Sequence, residues 1–195
     1  NWKEGQSEHT VTSPMTLNIS SFSNVNDLNK SVTPELSNSE TTLLHLWAHS
    51  DKYRLGGSAL YQSFKLYGGA TPDIDNANQF KVLFEATQEL LDKDFIEALH
   101  DISDGGLITS LIEMALCSNQ GLDINLDYSD KEQLVPKLFS EEIGLVIEVK
   151  NEKLESVRNY LNEKELFFEN IAKKNDKKKI NINCFKEEVF SEDLT

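Results

Sequence analysis

Along the first third of the chain the apolar positions fall into two short strand-like patterns. Met15, Leu17 and Ile19 alternate with Thr16, Asn18 and Ser20, the two-residue period of a half-buried strand over residues 15–25. Residues 26–40, rich in Asn, Ser, Asp and Pro, read as loop, and residues 42–48 as a second, more buried strand. A glycine turn, Leu55-Gly56-Gly57-Ser58, then opens a helix with Leu60, Phe64 and Tyr67 on its apolar face, closed by Gly68 and Gly69. Phe80, Leu83, Phe84, Thr87, Leu90 and Leu91 recur at helical spacing and predict an amphipathic helix to about Lys93.

The later pattern alternates strand and helix. Residues 95–99 read as a buried strand, and Leu107, Ile108, Leu111, Ile112, Met114 and Ala115 as the helix after it, with Gly121 as its C-terminal glycine. Residues 122–126, 145–149 and 167–172 read as strands. Residues 131–139 read as a short helix that Pro136 interrupts, and residues 153–162 as a helix using Leu154, Val157 and Leu161. The basic stretch 173–179 reads as the tip of a hairpin whose second strand is 180–185. Such alternation implies an α/β (α+β) domain, a mixed sheet with packed helices. Residues 1–13, polar apart from Trp2, are expected to be a linker or strap from a preceding domain, and 14–195 the domain itself.

The chemistry concentrates where residues 95–99 meet the next helix, at His100-Asp101-Ile102-Ser103-Asp104-Gly105-Gly106. Asp104 is placed to cap the helix, and two side-chain-free glycines would leave backbone N–H groups open to an anion. Asp101 and Ser103, two apart in an extended turn, offer a carboxylate and a hydroxyl on one side, a pair suited to magnesium carrying a phosphate. Asp, Ser and Gly are also what any strand-to-helix turn needs, and that plainer reading stands beside the ligand one. A calcium loop is excluded, since Ile112 occupies its twelfth position, where a bidentate Glu is required. A phosphate-binding Walker loop is excluded because no Gly-Lys-Ser/Thr follows the glycines. The Gly57-Ser58 turn repeats the anion logic more weakly. His45 and His49, four apart in a strand, diverge and suggest no metal.

Composition narrows the class. At 195 residues, 38% hydrophobic and 27% charged, the chain is an ordinary globular one. Its formal charge of −14, with 33 acids against 19 Lys and Arg, argues against nucleic acid as a partner. Cys117 and Cys184 match no metal or redox spacing, and Cys117 is expected to be a buried reduced thiol. No apolar run reaches the roughly 20 residues that span a bilayer and no secretory signal opens the chain, so the expectations are no membrane and a cytoplasmic location. With no initiator Met, the chain is expected to be a piece of a longer one. It contains no repeat and no low-complexity tract.

The central stretch with Leu107, followed by Leu138-Phe139-Ser140-Glu141-Glu142-Ile143-Gly144-Leu145-Val146-Ile147, resembles the second carboxy-terminal ligase domain of the phosphoribosylformylglycinamidine synthases. Three stretches agree in the same order: residues 2–5 with Thr12-Ser13-Pro14, Val32-Thr33-Pro34-Glu35-Leu36, and Leu55-Gly56-Gly57-Ser58-Ala59-Leu60. The resemblance covers nearly the whole chain. It implies a domain shared with aminoimidazole ribonucleotide synthetase and selenophosphate synthetase. It further implies part of a purine-biosynthesis ligase that uses ATP and magnesium to convert formylglycinamide ribonucleotide to its amidine, with ammonia from a glutaminase domain. Asp101 then corresponds to a magnesium ligand and Ser103 to an ATP or ADP contact, while no catalytic residue is carried over. The other metal ligands and the glutaminase cysteine belong to other domains of the same polypeptide. The fragment alone is therefore expected to be inactive and to self-associate through the face it has lost. Tyr61 departs from the family pattern, where a small residue is common. The pocket is either part of a catalytic centre or a structural nucleotide site that locks two ligase halves together without turnover.

Overall fold

In a computed structural model, residues 2–10, 18–25, 27–48, 52–126, 131–185 and 187–194 are described. In the polar N-terminal stretch, β1 (Trp2–Glu4) and β2 (Ser7–His9) pair antiparallel as a separate two-stranded sheet around Gly5. Residues 18–25 carry no regular structure, so the alternation begun at Met15 does not continue as a strand there; residues 15–17 lie outside the described residues.

The body is a seven-stranded mixed sheet built from β3 (Thr41–Trp47), β4 (Ala98–Asp101), β5 (Gly121–Leu126), β6 (Gly144–Lys150), β7 (Phe167–Asn175), β8 (Lys179–Cys184) and β9 (Glu187–Asp193). Their order across the sheet is β4-β6-β3-β7-β5-β8-β9, antiparallel throughout except for the β5–β8 pair. Helices cover both faces. On one, α3 (Gly106–Ser118) and α4 (Leu134–Phe139) pack Leu107, Leu111, Met114 and Leu138 against Leu43, Ile124, Val146 and Ile171. On the other, α2 (Ala77–Asp92) and α5 (Leu154–Glu163) pack Leu83, Leu90, Val157 and Leu161 against Leu44, Leu46, Ile147 and Val149. A strand covered on both faces reads as a continuous apolar run, which is why all seven residues of β3 are buried.

Several local expectations are corrected. The strand before the central turn is Ala98–Asp101, three residues later than the apolar run suggested, because pairing with β6 sets its limits (Ala98 opposite Glu148, Asp101 opposite Leu145). Helix α1 (Ala59–Ser63) ends at Phe64, and Phe64 and Tyr67 are exposed, so Gly68 and Gly69 do not close it. Asn119, left-handed at φ 51, ends α3 in place of Gly121, which opens β5. A 3-10 turn (Lys131–Gln133) precedes α4, where Pro136 is tolerated as the third residue, in a first turn whose N–H groups have no helical partner anyway. Strands β7 and β8 are not a hairpin, since β5 lies between them; the hairpin is β8 with β9. Cys117 is exposed and Cys184 buried. No helix among the described residues is long and apolar enough to cross a membrane.

Candidate functional site

The central turn hangs from the end of β4. The N–H of Ile102 donates to the carbonyl of Gly144 at 3.0 Å, extending the strand pairing by one residue. The turn then reverses through Gly105 (φ +89) and Gly106 (φ +75), in the left-handed region that favours glycine. A Cβ on Gly106 would sit 2.7 Å from the carbonyl carbon of Phe139 and 2.7 Å from the Ser140 oxygen, so the missing side chain lets α3 start directly against the end of α4. Gly105, not Asp104, is the N-cap of α3 and no side chain caps it, because the left-handed residue moves the helix start one position beyond Asp104.

Asp101 and Ser103 are both exposed on this turn, Asp101 with 71% of its side chain accessible. The backbone beneath them is held. The Asp101 carbonyl accepts from the Ser110 hydroxyl at 2.9 Å and lies 2.7 Å from His100 Nδ1, while His100 Nε2 is 2.9 Å from Glu113 Oε2. The glycine N–H groups are not open as expected. Gly106 N–H donates to the Ser103 carbonyl at 3.0 Å, and Gly105 N–H donates to Glu141 Oε1 at 2.9 Å. What the turn offers a ligand is therefore the exposed Asp101 and Asp104 carboxylates and the exposed Ser103 hydroxyl. One carboxylate fits magnesium that draws its remaining ligands from phosphate oxygens, water and other protein groups. Among the described residues no group of three or more His, Cys, Asp or Glu side chains could hold a metal by itself.

The second glycine turn meets the first through the same carboxylate. Ala59 N–H donates to Glu141 Oε1 at 2.8 Å, so the anion position expected at Gly57-Ser58 is filled from within the protein. Ser58 caps α1, its Oγ accepting from Tyr61 N–H at 3.3 Å. The Tyr61 ring approaches Gly69, its Cε2 being 3.5 Å from where a Cβ would lie there. Arg54, at the start of the turn, donates from Nε and Nη2 to Glu142 at 2.6 and 2.8 Å and from its backbone N–H at 3.1 Å. It also reaches Asp75 Oδ2 at 3.0 Å. The Glu142 hydrogen bond, working against burial, raises the Arg54 guanidinium further above its ordinary value. Asp75 is held below its ordinary value, chiefly by its hydrogen bond with Lys52.

Beneath these turns lies a buried charged group that no local pattern announces. Lys137 of α4, 2% exposed, places Nζ 2.5 Å from Glu169 Oε1, and His45 Nδ1 is 3.1 Å from the same oxygen. The Lys137 ammonium also lies 5.1 Å from the Trp47 ring centroid and 5.5 Å from that of Tyr53. Burial pushes the His45 imidazole below its ordinary value. Burial works against the charge of Glu169, but the His45 hydrogen bond and the Lys137 charge outweigh it and hold the carboxyl below its ordinary value. His45 thus faces a carboxylate and an ammonium, while His49 lies outside the described residues. The only sequence signals for this group were a lysine inside the apolar stretch 134–139 and a histidine inside a buried strand.

The family described as AIR synthase related protein, C-terminal domain, matches residues 47–184. Among solved structures, the chain is similar to Thermotoga maritima PurL complexed with FGAR, with a TM-score of 0.71 and 17% identity over 86% of this chain and 29% of that one. The same PurL complexed with ATP gives a TM-score of 0.68 and 16% identity, covering 86% and 27%. Escherichia coli HypE, a hydrogenase maturation protein, gives 0.57 and 19%, covering 85% and 53%. The chain spans between a quarter and a third of the length of the PurL chains it matches.

Proposed function

The chain belongs to the AIR synthase related protein, C-terminal domain, family, and from that premise we propose that it is a nucleotide-binding part of a phosphoribosylformylglycinamidine synthase. The parent would be a cytoplasmic C–N ligase of purine biosynthesis. Consuming ATP, it converts formylglycinamide ribonucleotide to formylglycinamidine ribonucleotide with ammonia drawn from glutamine. The fold shared with PurL, solved with ATP and with FGAR, supports this reading. The observation that carries it is the exposed Asp101 and Ser103 pair on a turn whose backbone is fixed from behind. Asp101 is assigned one magnesium ligand and Ser103 a nucleotide contact. The remaining ligase and glutaminase domains of the same polypeptide supply the rest, so residues 1–195 alone form no amidine from substrate, ATP and ammonia.

A second reading, a nucleotide held without turnover to lock two ligase halves together, is favoured by one observation. The Gly105 and Gly106 N–H groups serve Glu141 and Ser103, so they are not available to polarise a transferring phosphoryl group. The test for both readings is calorimetric titration of the full-length protein with magnesium-ADP. Asp101→Asn should weaken binding by about tenfold or more, since even residues standing behind metal ligands typically cost that much. Unchanged affinity would remove Asp101 from the site. A nucleotide that survives purification unhydrolysed selects the locking role, and rapid turnover at this pocket selects the catalytic one.

A further inference from the structure

The connection from α4 to β6 carries two adjacent carboxylates that grip the same glycine turn from two directions. Glu142, 3% exposed, holds Arg54 through three hydrogen bonds. Glu141 uses a single oxygen to accept from Ala59 N–H at 2.8 Å and Gly105 N–H at 2.9 Å, donors at the starts of α1 and α3 that are 46 positions apart in the chain. An ionised acceptor strengthens both bonds, and the two lone pairs of one oxygen suffice for both donors. The connection itself is braced, with Ser140 N–H donating to the Pro136 carbonyl at 2.8 Å and Gly106 packed closely against the backbone of residues 138–140.

We infer that Glu141 is a positioning residue that fixes the turn before α1 to the turn before α3, so that Asp101 and Ser103 are presented in one relation to the Arg54–Ser58 segment. The inference goes beyond the proposed magnesium-nucleotide role of Asp101 and Ser103, and only its significance for a ligand rests on that reading. Replacing the carboxylate leaves two N–H groups at helix starts without their shared acceptor and frees the two turns to move separately.

The experiment is amide NMR on the 195-residue chain. In the parent, the Gly105 and Ala59 amide protons should both be protected from exchange, since each is held by the Glu141 carboxylate. Glu141→Gln keeps an acceptor oxygen but cannot ionise. It should leave both amides protected, so that the conservative variant rescues what the alanine variant loses. Glu141→Ala should accelerate exchange of both amides by about tenfold or more, the loss expected for hydrogen bonds to a charged group. Exchange accelerated at only one of the two amides, or at neither, in Glu141→Ala would overturn the inference; if the alanine variant does not fold, loss of protection at either amide in Glu141→Gln overturns it instead. The magnesium-ADP titration of the full-length protein separates the two readings. If Asp101→Asn binds it as tightly as the parent while the Glu141 results hold, the nucleotide reading fails and the positioning role stands.

Discussion

At the scale of single residues, Asp104 and Gly106 exchange the roles that their types suggest. Asp104 caps nothing, so Asp104→Ala should change stability by less than about 0.5 kcal/mol, as for an ordinary surface position. Gly106→Ala should cost about 1–3 kcal/mol, because it combines a φ of +75 with a Cβ forced against the backbone of α4. Thermal melts of both variants check the contrast. The misplaced cap has a definite origin: Asp in front of two glycines matches the N-cap pattern, but a left-handed Gly105 shifts the helix start by one, and φ is not written in residue type. Asp101 and Ser103 were legible as an exposed pair because polar residues between a strand and a glycine turn have nowhere to go but outward. Glu141 was not, since its partners are backbone N–H groups 82 and 36 residues away and leave no local mark.

At the scale of elements, α4 is seated on β3 and β7 through Lys137, Glu169 and His45, and this seating is sensitive to acid. His45 in the folded chain binds its proton below the ordinary value near 6.5, so on acidification the unfolded chain takes up that proton first. The stability it contributes is present above about pH 6.5 and is lost as pH falls towards the folded value. Glu169, also lowered, adds a second loss as pH falls below its ordinary 4.5. Melting temperature measured against pH should therefore drop in two stages, and His45→Gln should remove the upper one. Lys137→Met should cost about 3–5 kcal/mol, because it leaves Glu169 without its ammonium partner in a largely buried place. The apolar periodicity located α2, α3 and α5 well, since helices that bury one stripe must repeat it. It misjudged the β7–β8 connection because adjacency in sequence is the usual warrant for a hairpin. Here Asp123 of β5, accepting from Asn175 at 2.9 Å and Asn181 at 2.7 Å, fastens a third strand between the two.

At the scale of the whole molecule, Ile19, Phe22, Val25, Leu28, Phe64 and Tyr67 are each more than 60% exposed, Phe22 and Tyr67 almost completely. Large aromatic groups left in water favour association. Sedimentation of the 195-residue chain should show mass rising with concentration, and Phe22→Ser with Tyr67→Ser should reduce that rise; a single monomeric species at high concentration in the parent would refute it. The place of β5 bears on how such a chain is made. Synthesis runs from the N-terminus, yet both neighbours of β5 are encoded after it, in residues 167–175 and 179–184. Until residue 175 has left the ribosome, β5 waits as a strand with two bare edges and β3 waits for β7 on one side, and one edge of β5 stays bare until residue 184 follows. Half the sheet therefore closes late and through distant contacts, the circumstance in which a nascent chain has most need of protection from its neighbours.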